Sequence, residues 1–143
     1  MQHYILLALI SALMWGIAPV IHKVLLVKYE PITIMLINSF TYAICMLFIV
    51  LFNYKMFMKD VNKMKYEDAA VIVLSSIGIL IVGNLIYYYV LREHNSSLVS
   101  ALIYSSPIFT LILAYIFLKE RLSMYGYLGI FSILLGIIFI SQN

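Results

Sequence analysis

The chain has 143 residues, 65% of them apolar and 10% charged, with a net charge of +3 and a mean hydropathy of +1.07. Soluble domains carry about 25% charged residues, so this composition excludes a water-filling globule and points to an integral membrane protein. The small positive charge is divided among short connections, which gives no support to nucleic-acid binding.

A membrane-crossing helix needs about 20 apolar residues at 1.5 Å rise each. Five runs meet this: Tyr4 to His22, Ile32 to Phe52, Ala69 to Val90, Leu98 to Leu118 and Tyr125 to Ile140. They are too long and too uniformly apolar for the alternation of a membrane barrel, so the expected fold is all-α, one five-helix transmembrane domain over residues 1–143. Once the five runs are removed little remains to carry separate chemistry, and function belongs to the bundle. Cys45 is the only cysteine and offers no intrachain disulfide. The segments on the amino-terminal side hold Lys55, Lys59, Lys63, Lys65, Lys119 and Arg121, against Lys23, Lys28 and Arg92 opposite. That excess predicts a cytoplasmic amino terminus and a carboxyl terminus outside.

The first run lacks a basic leading segment and reads as a retained helix rather than a cleaved signal. It carries Trp15 and Gly16, then Pro19, then His22 and Lys23 at its far end. Trp15 lies about 10 Å below that end by helix rise, deeper than an interfacial belt residue, and is a candidate cavity residue. Lys23, at the edge, either snorkels to headgroups or serves as a gate charge.

Glu30 and Pro31 open the second helix, a carboxylate and a proline both suited to its first turn. Asn38, Ser39, Thr41 and Tyr42 follow in its outer half, where an amide in hydrocarbon must find a partner on another helix or on a ligand. The connection Asn53 to Asp68 sets Lys55, Lys59, Lys63 and Lys65 about four apart with Met56, Phe57, Val61 and Met64 between them. This predicts a short amphipathic segment on the cytoplasmic leaflet.

The third helix contains Gly78, Gly83 and Asn84, then Tyr87, Tyr88 and Tyr89. The glycines permit close approach, Gly83 being a candidate packing position, and the tyrosines suit an aromatic belt or a site. In the fourth helix Pro107 lacks an N–H for the carbonyl one turn earlier, so that carbonyl is expected to be freed in mid-helix beside Ser105 and Ser106. The fifth helix places Gly129, Ser132 and Gly136 at helical spacing, an expected packing stripe. Ser123 is placed to cap it.

Counting rise from the outer ends sets Trp15, Asn38, Asn84 and Ser105 at one depth, about 10 Å in. The middle of each span holds no Asp, Glu, Lys or Arg, so the simplest proton-coupling device, an embedded carboxylate, is missing. The three histidines sit near helix ends, where a solvated imidazole is the default. No metal cluster, activated nucleophile or phosphate-binding loop is apparent. The chain is expected to be no enzyme, with no cofactor and no metal.

The set Trp15-Gly16 with Lys23, Gly83-Asn84 with Tyr87, Tyr89, Val90 and Leu91, Ser97 and Ser100-Ala101 followed by Pro107, Leu118 with Glu120-Arg121-Leu122-Ser123, then Gly129 and Gly136 resembles the EamA domain of the drug/metabolite transporter superfamily. That resemblance covers about Leu6 to Ile140. It implies a five-helix unit, normally present as two tandem copies of opposite topology in a small-metabolite exporter or exchanger. This chain resembles one copy, so its expected partner in the bilayer is a second copy or an inverted paralogue, with substrate between them near the midplane. One position departs from the pattern. The family often has an arginine seven residues after the proline of its second helix, and here that place is Asn38. The carboxylate that small multidrug exporters carry in their first helix is also absent. A small neutral or zwitterionic substrate is therefore expected, held by Trp15, Asn38, Tyr42, Asn84, Tyr88, Ser105 and the Pro107 break, with Glu120 and Arg121 pinning the hinge. The competing reading is a non-transporting adaptor that grips a partner protein through its small-residue helix faces.

Overall fold

The computed structural model describes residues 3–142, and these fold into helices alone. Five are long and apolar enough to cross a membrane. We number the helices α1 (His3–Leu26), α2 (Pro31–Phe52), α3 (Tyr54–Val61), α4 (Tyr66–Glu93), α5 (Ser96–Leu118) and α6 (Met124–Ser141).

Local chemistry accounts for the starts. Glu30 is extended (φ −67°, ψ 144°) and Pro31 follows in the first turn of α2, where a missing N–H costs nothing. Glu67 and Asp68 place negative charge in the first turn of α4, against the positive end of its dipole. The Ser123 hydroxyl accepts from the Gly126 N–H at 3.3 Å and caps α6, as the sequence predicts. The short helix α3 occupies the lysine-bearing connection, with Lys55 and Lys59 one turn apart on it.

Both α4 and α5 depart from regular geometry. Residues Ile77–Gly83 of α4 and Ala114–Leu118 of α5 are π-helical, wound with i→i+5 pairing. The first stretch brings Gly83 close to its own backbone: a Cβ there would lie 3.6 Å from the Gly78 carbonyl oxygen. The second ends at Lys119, whose φ of 58° is left-handed, a conformation glycine usually supplies. The N–H groups of Lys119 and Glu120 both turn back to the Ala114 carbonyl, so the helix stops sharply before the hinge.

Pro107 is not in mid-helix, and this corrects the sequence reading. The helical run Ser96–Ile103 ends at Tyr104 and Ser105, and a new run, Ser106–Leu113, begins with Pro107 in its first turn. The chain meets the missing N–H by breaking and restarting the helix, with Pro107 in a first turn where its own N–H is not needed. The Ser105 hydroxyl donates to the Leu102 carbonyl at 2.6 Å and closes the break.

The chain divides into two compact units, Ile21–Glu93 and the remainder, residues up to Val20 with those from His94 onward. In the first, α2 packs on the last turns of α4, burying Leu26, Pro31, Ile34, Tyr88 and Leu91. In the second, the start of α5 packs on α6 and Val99 is buried. Elsewhere most of the large apolar side chains of each span are exposed, the surface a helix presents to lipid.

A neutral polar cluster between α1, α2 and α4

Helical spacing assembles this cluster. Ile34 and Asn38 stand one turn apart on α2, and Tyr88, Leu91 and Arg92 lie within one turn of each other on α4. Ile34 and Leu91 form the apolar floor, Leu91 being 0% exposed, and above them the polar ends of Asn38 and Tyr88 meet. The Asn38 amide nitrogen donates to the Tyr88 hydroxyl at 2.6 Å.

His22 joins from α1. The sequence places it at a helix end in solvent, but α1 runs on to Leu26, so His22 lies a turn inside the helix and is half-buried. Its Nε2 is 3.2 Å from the Asn38 amide nitrogen and 3.5 Å from the Tyr88 hydroxyl, and its Nδ1 is 3.3 Å from the Tyr87 hydroxyl. An amide nitrogen is a donor only, so Nε2 accepts, and the ring is neutral with its proton on Nδ1, donated to Tyr87. The ring is held edge-on to both tyrosines, with centroids 5.0 Å from Tyr88 and 6.0 Å from Tyr87. The two tyrosine rings are 5.1 Å apart.

Two charged contacts lock the same end. The Lys23 ammonium donates to the carbonyls of Leu91 and Arg92, both at 2.8 Å, and so satisfies acceptors that the end of α4 would otherwise leave open. The Arg92 guanidinium grips the Glu30 carboxylate with both forks, one of them Nη2 to Oε1 at 3.0 Å. Planar bidentate pairing adds direction as well as attraction. Glu30 therefore serves α4 with its side chain, and makes no side-chain cap bond to α2.

The other candidate residues fall elsewhere. Asn84 donates to the Leu80 carbonyl at 2.9 Å, one turn back on its own helix. Tyr42 is 58% exposed on α2 and Trp15 is 70% exposed on α1. Trp15, Ser105 and Pro107 belong to the other unit. Pro107 there lines a cavity of about 550 Å³ with Thr110, Ala114, Glu120 and Arg121. The Arg121 guanidinium carbon is 5.9 Å from the centre of the Tyr115 ring, within cation–π range. The α6 stripe meets nothing: a Cβ added at Gly129 or Gly136 would have no atom within 4 Å, and the Ser132 hydroxyl turns back to the Leu128 carbonyl at 2.9 Å. Within the described chain those small residues are not used for close packing.

Of the residues the sequence offers as ligand contacts, Asn38 and Tyr88 fall in this cluster; His22 and Tyr87, which it does not single out as contacts, fall there too. The signal available was spacing: His22 and Lys23 are adjacent, and Tyr87 and Tyr88 lie one turn before Leu91 and Arg92.

Five apolar helices, most of their side chains facing outward, with polar groups gathered where helices meet, define a multi-pass α-helical membrane protein. Residues 2–142 match the EamA-like transporter family, and the chain belongs to it. Members of that family are transporters, and the chain is a membrane protein of that kind. It is also similar to the Uncharacterized protein MJ1333.1 of Methanocaldococcus jannaschii, with 29% identity over 141 residues covering 99% of this chain and 98% of that protein. No solved structure matches it.

Proposed function

We propose that the chain transports a small neutral or zwitterionic metabolite, working by alternating access as a dimer of five-helix units, either with a second copy or with an inverted paralogue. The observation that carries the reading is the cluster of His22, Asn38, Tyr87 and Tyr88. These groups are neutral and offer both donors and acceptors, and two aromatic faces stand beside them. Such a set orients a polar ligand through hydrogen bonds and covers its apolar part with rings. Tyr42 and Asn84 add ligand contacts within this unit, and Trp15, Ser105 and Pro107 are proposed contacts of the other unit. Lys23 acts as a gate by holding or releasing the end of α4, and Glu120 and Arg121 fix the α5–α6 hinge. The lysine excess sets the amino terminus in the cytoplasm.

The test is counterflow into proteoliposomes of the purified chain, using a panel of labelled neutral amino acids, amino alcohols and polyols. Saturable uptake of at least one compound, reduced in Asn38→Ala while the protein still assembles, is the expected result. No uptake across the panel, or uptake indifferent to Asn38→Ala, removes the reading.

A second reading, a non-transporting adaptor, is supported by the uncovered Gly129 and Gly136 face of α6. It predicts that Gly136→Leu abolishes capture of a partner membrane protein in a chain that shows no flux.

A further inference from the structure

Within the cluster, the imidazole is the group whose ordinary pKa lies near neutrality. We propose that His22 is a proton-binding site that decides which ligand the cluster accepts, its charged form holding a carboxylate such as that of a small zwitterion. The inference rests on the transporter reading and narrows its substrate class.

The hydrogen-bond arithmetic makes protonation consequential. In the neutral cluster Asn38 donates to His22 Nε2 at 3.2 Å and to the Tyr88 hydroxyl at 2.6 Å, while His22 Nδ1–H donates to Tyr87. A proton added from water to Nε2 turns that acceptor into a donor. The amide N–H group can no longer face it, because two donors would then meet. Asn38 must turn its carbonyl oxygen to the ring, which withdraws its N–H from Tyr88, or the imidazolium must find another acceptor. Either way the short Asn38–Tyr88 bond that joins α2 to α4 is rearranged.

Charge then selects the ligand. The other titratable or charged groups at this end include Lys23 on α1, Lys28 and Tyr29 in the α1–α2 connection, Glu30 at the start of α2, and Tyr87, Tyr88, Tyr89, Arg92 and Glu93 on α4. Glu30 is held by the Arg92 guanidinium, and the Lys23 ammonium lies on the Leu91 and Arg92 carbonyls. The groups bonded to His22 are an amide and two phenols, which supply no negative charge in their ordinary states. An imidazolium among them is costly away from bulk water, and an arriving carboxylate relieves that cost. Protonation and carboxylate binding therefore favour one another, and the coupling is reciprocal. The sequence shows no embedded carboxylate for proton coupling, and His22 supplies an alternative.

The test follows the wild-type protein in lipid nanodiscs by NMR, with labelled histidine rings and labelled asparagine side-chain amides, from about pH 5 to about pH 8.5. The Asn38 amide, identified by its loss in Asn38→Ala, is expected to shift with the same midpoint as the His22 ring, and to stay flat in His22→Gln. A His22 ring that titrates while the Asn38 amide stays flat, or that does not titrate in this range, overturns the proposal. Proteoliposome flux of a zwitterionic amino acid from the panel is expected to change by about tenfold per pH unit on one side of that midpoint. Wild-type flux that is flat with pH also overturns it. Absence of all flux removes the transporter reading, while the NMR titration still decides whether His22 and Asn38 form a proton switch.

Discussion

The end of the Ile21–Glu93 unit and the α6 helix are built on opposite plans. The first is cross-tied: a buried apolar floor of Ile34 and Leu91, a hydrogen-bonded cluster above it, a lysine on two carbonyls and an arginine on a carboxylate. The second offers an apolar cylinder whose two spaced glycines touch nothing within 4 Å of an added Cβ. The first region makes its contacts inside one chain, whereas the second has room left for contacts made by something else. In a membrane, apolar surface does not distinguish inside from outside, so polar pairing and close van der Waals fit take over that task.

The comparison can be broken most sharply at Leu91. Leu91→Ala opens a cavity in the one floor the cluster has and should destabilise the protein by about 3 kcal/mol, read as a lowered unfolding midpoint in detergent. Asn38→Ala should reduce flux by about tenfold or more, because it leaves the Tyr88 hydroxyl and His22 Nε2 without their shared donor. Tyr88→Phe keeps the ring but removes the hydroxyl, and proteoliposome uptake in that variant should fall by less than in Asn38→Ala. Lys23→Met should cost about 1 kcal/mol by uncovering the carbonyls at the end of α4, with faster amide exchange in the last turn as the local readout. The smallest effect belongs to the other region. Gly136→Ala should leave the isolated chain within about 0.5 kcal/mol of its original stability, since no neighbour is struck and helix propensity improves. If the same change lowers the association constant of two chains, the vacant face is the one that pairs.

The spans, the amphipathic α3 and the Ser123 cap were legible because each follows from a short-range rule: run length, charge spacing, or a hydroxyl three residues before a free N–H. Asn38 was legible because an amide in hydrocarbon requires a partner. The partner was not, since His22 became a cluster member only when α1 continued through Val24 and Leu25 to Leu26, and helix ends are set by tertiary contacts as much as by composition. Lys23 reads equally well as a snorkelling residue; its role as a cap depends on where the end of α4 lies. The Pro107 break was half legible. Proline announced a disturbance, but a restarted helix and an opened carbonyl begin from the same residue.

The wide turn at Ile77–Gly83 has one further consequence. An ordinary helix advances about 100° per residue, so the extra residue carried by a π turn throws everything after it out of phase with everything before it. Ser75 and Ser76 on one side and Tyr88 and Leu91 on the other therefore cannot be projected onto a single helical wheel. Deleting one residue from Ile79 to Val82 should keep a helix long enough to cross the membrane. It would relax the stretch to ordinary pitch and leave Tyr88 bearing on Asn38, because the wide turn had already absorbed that residue's rotation.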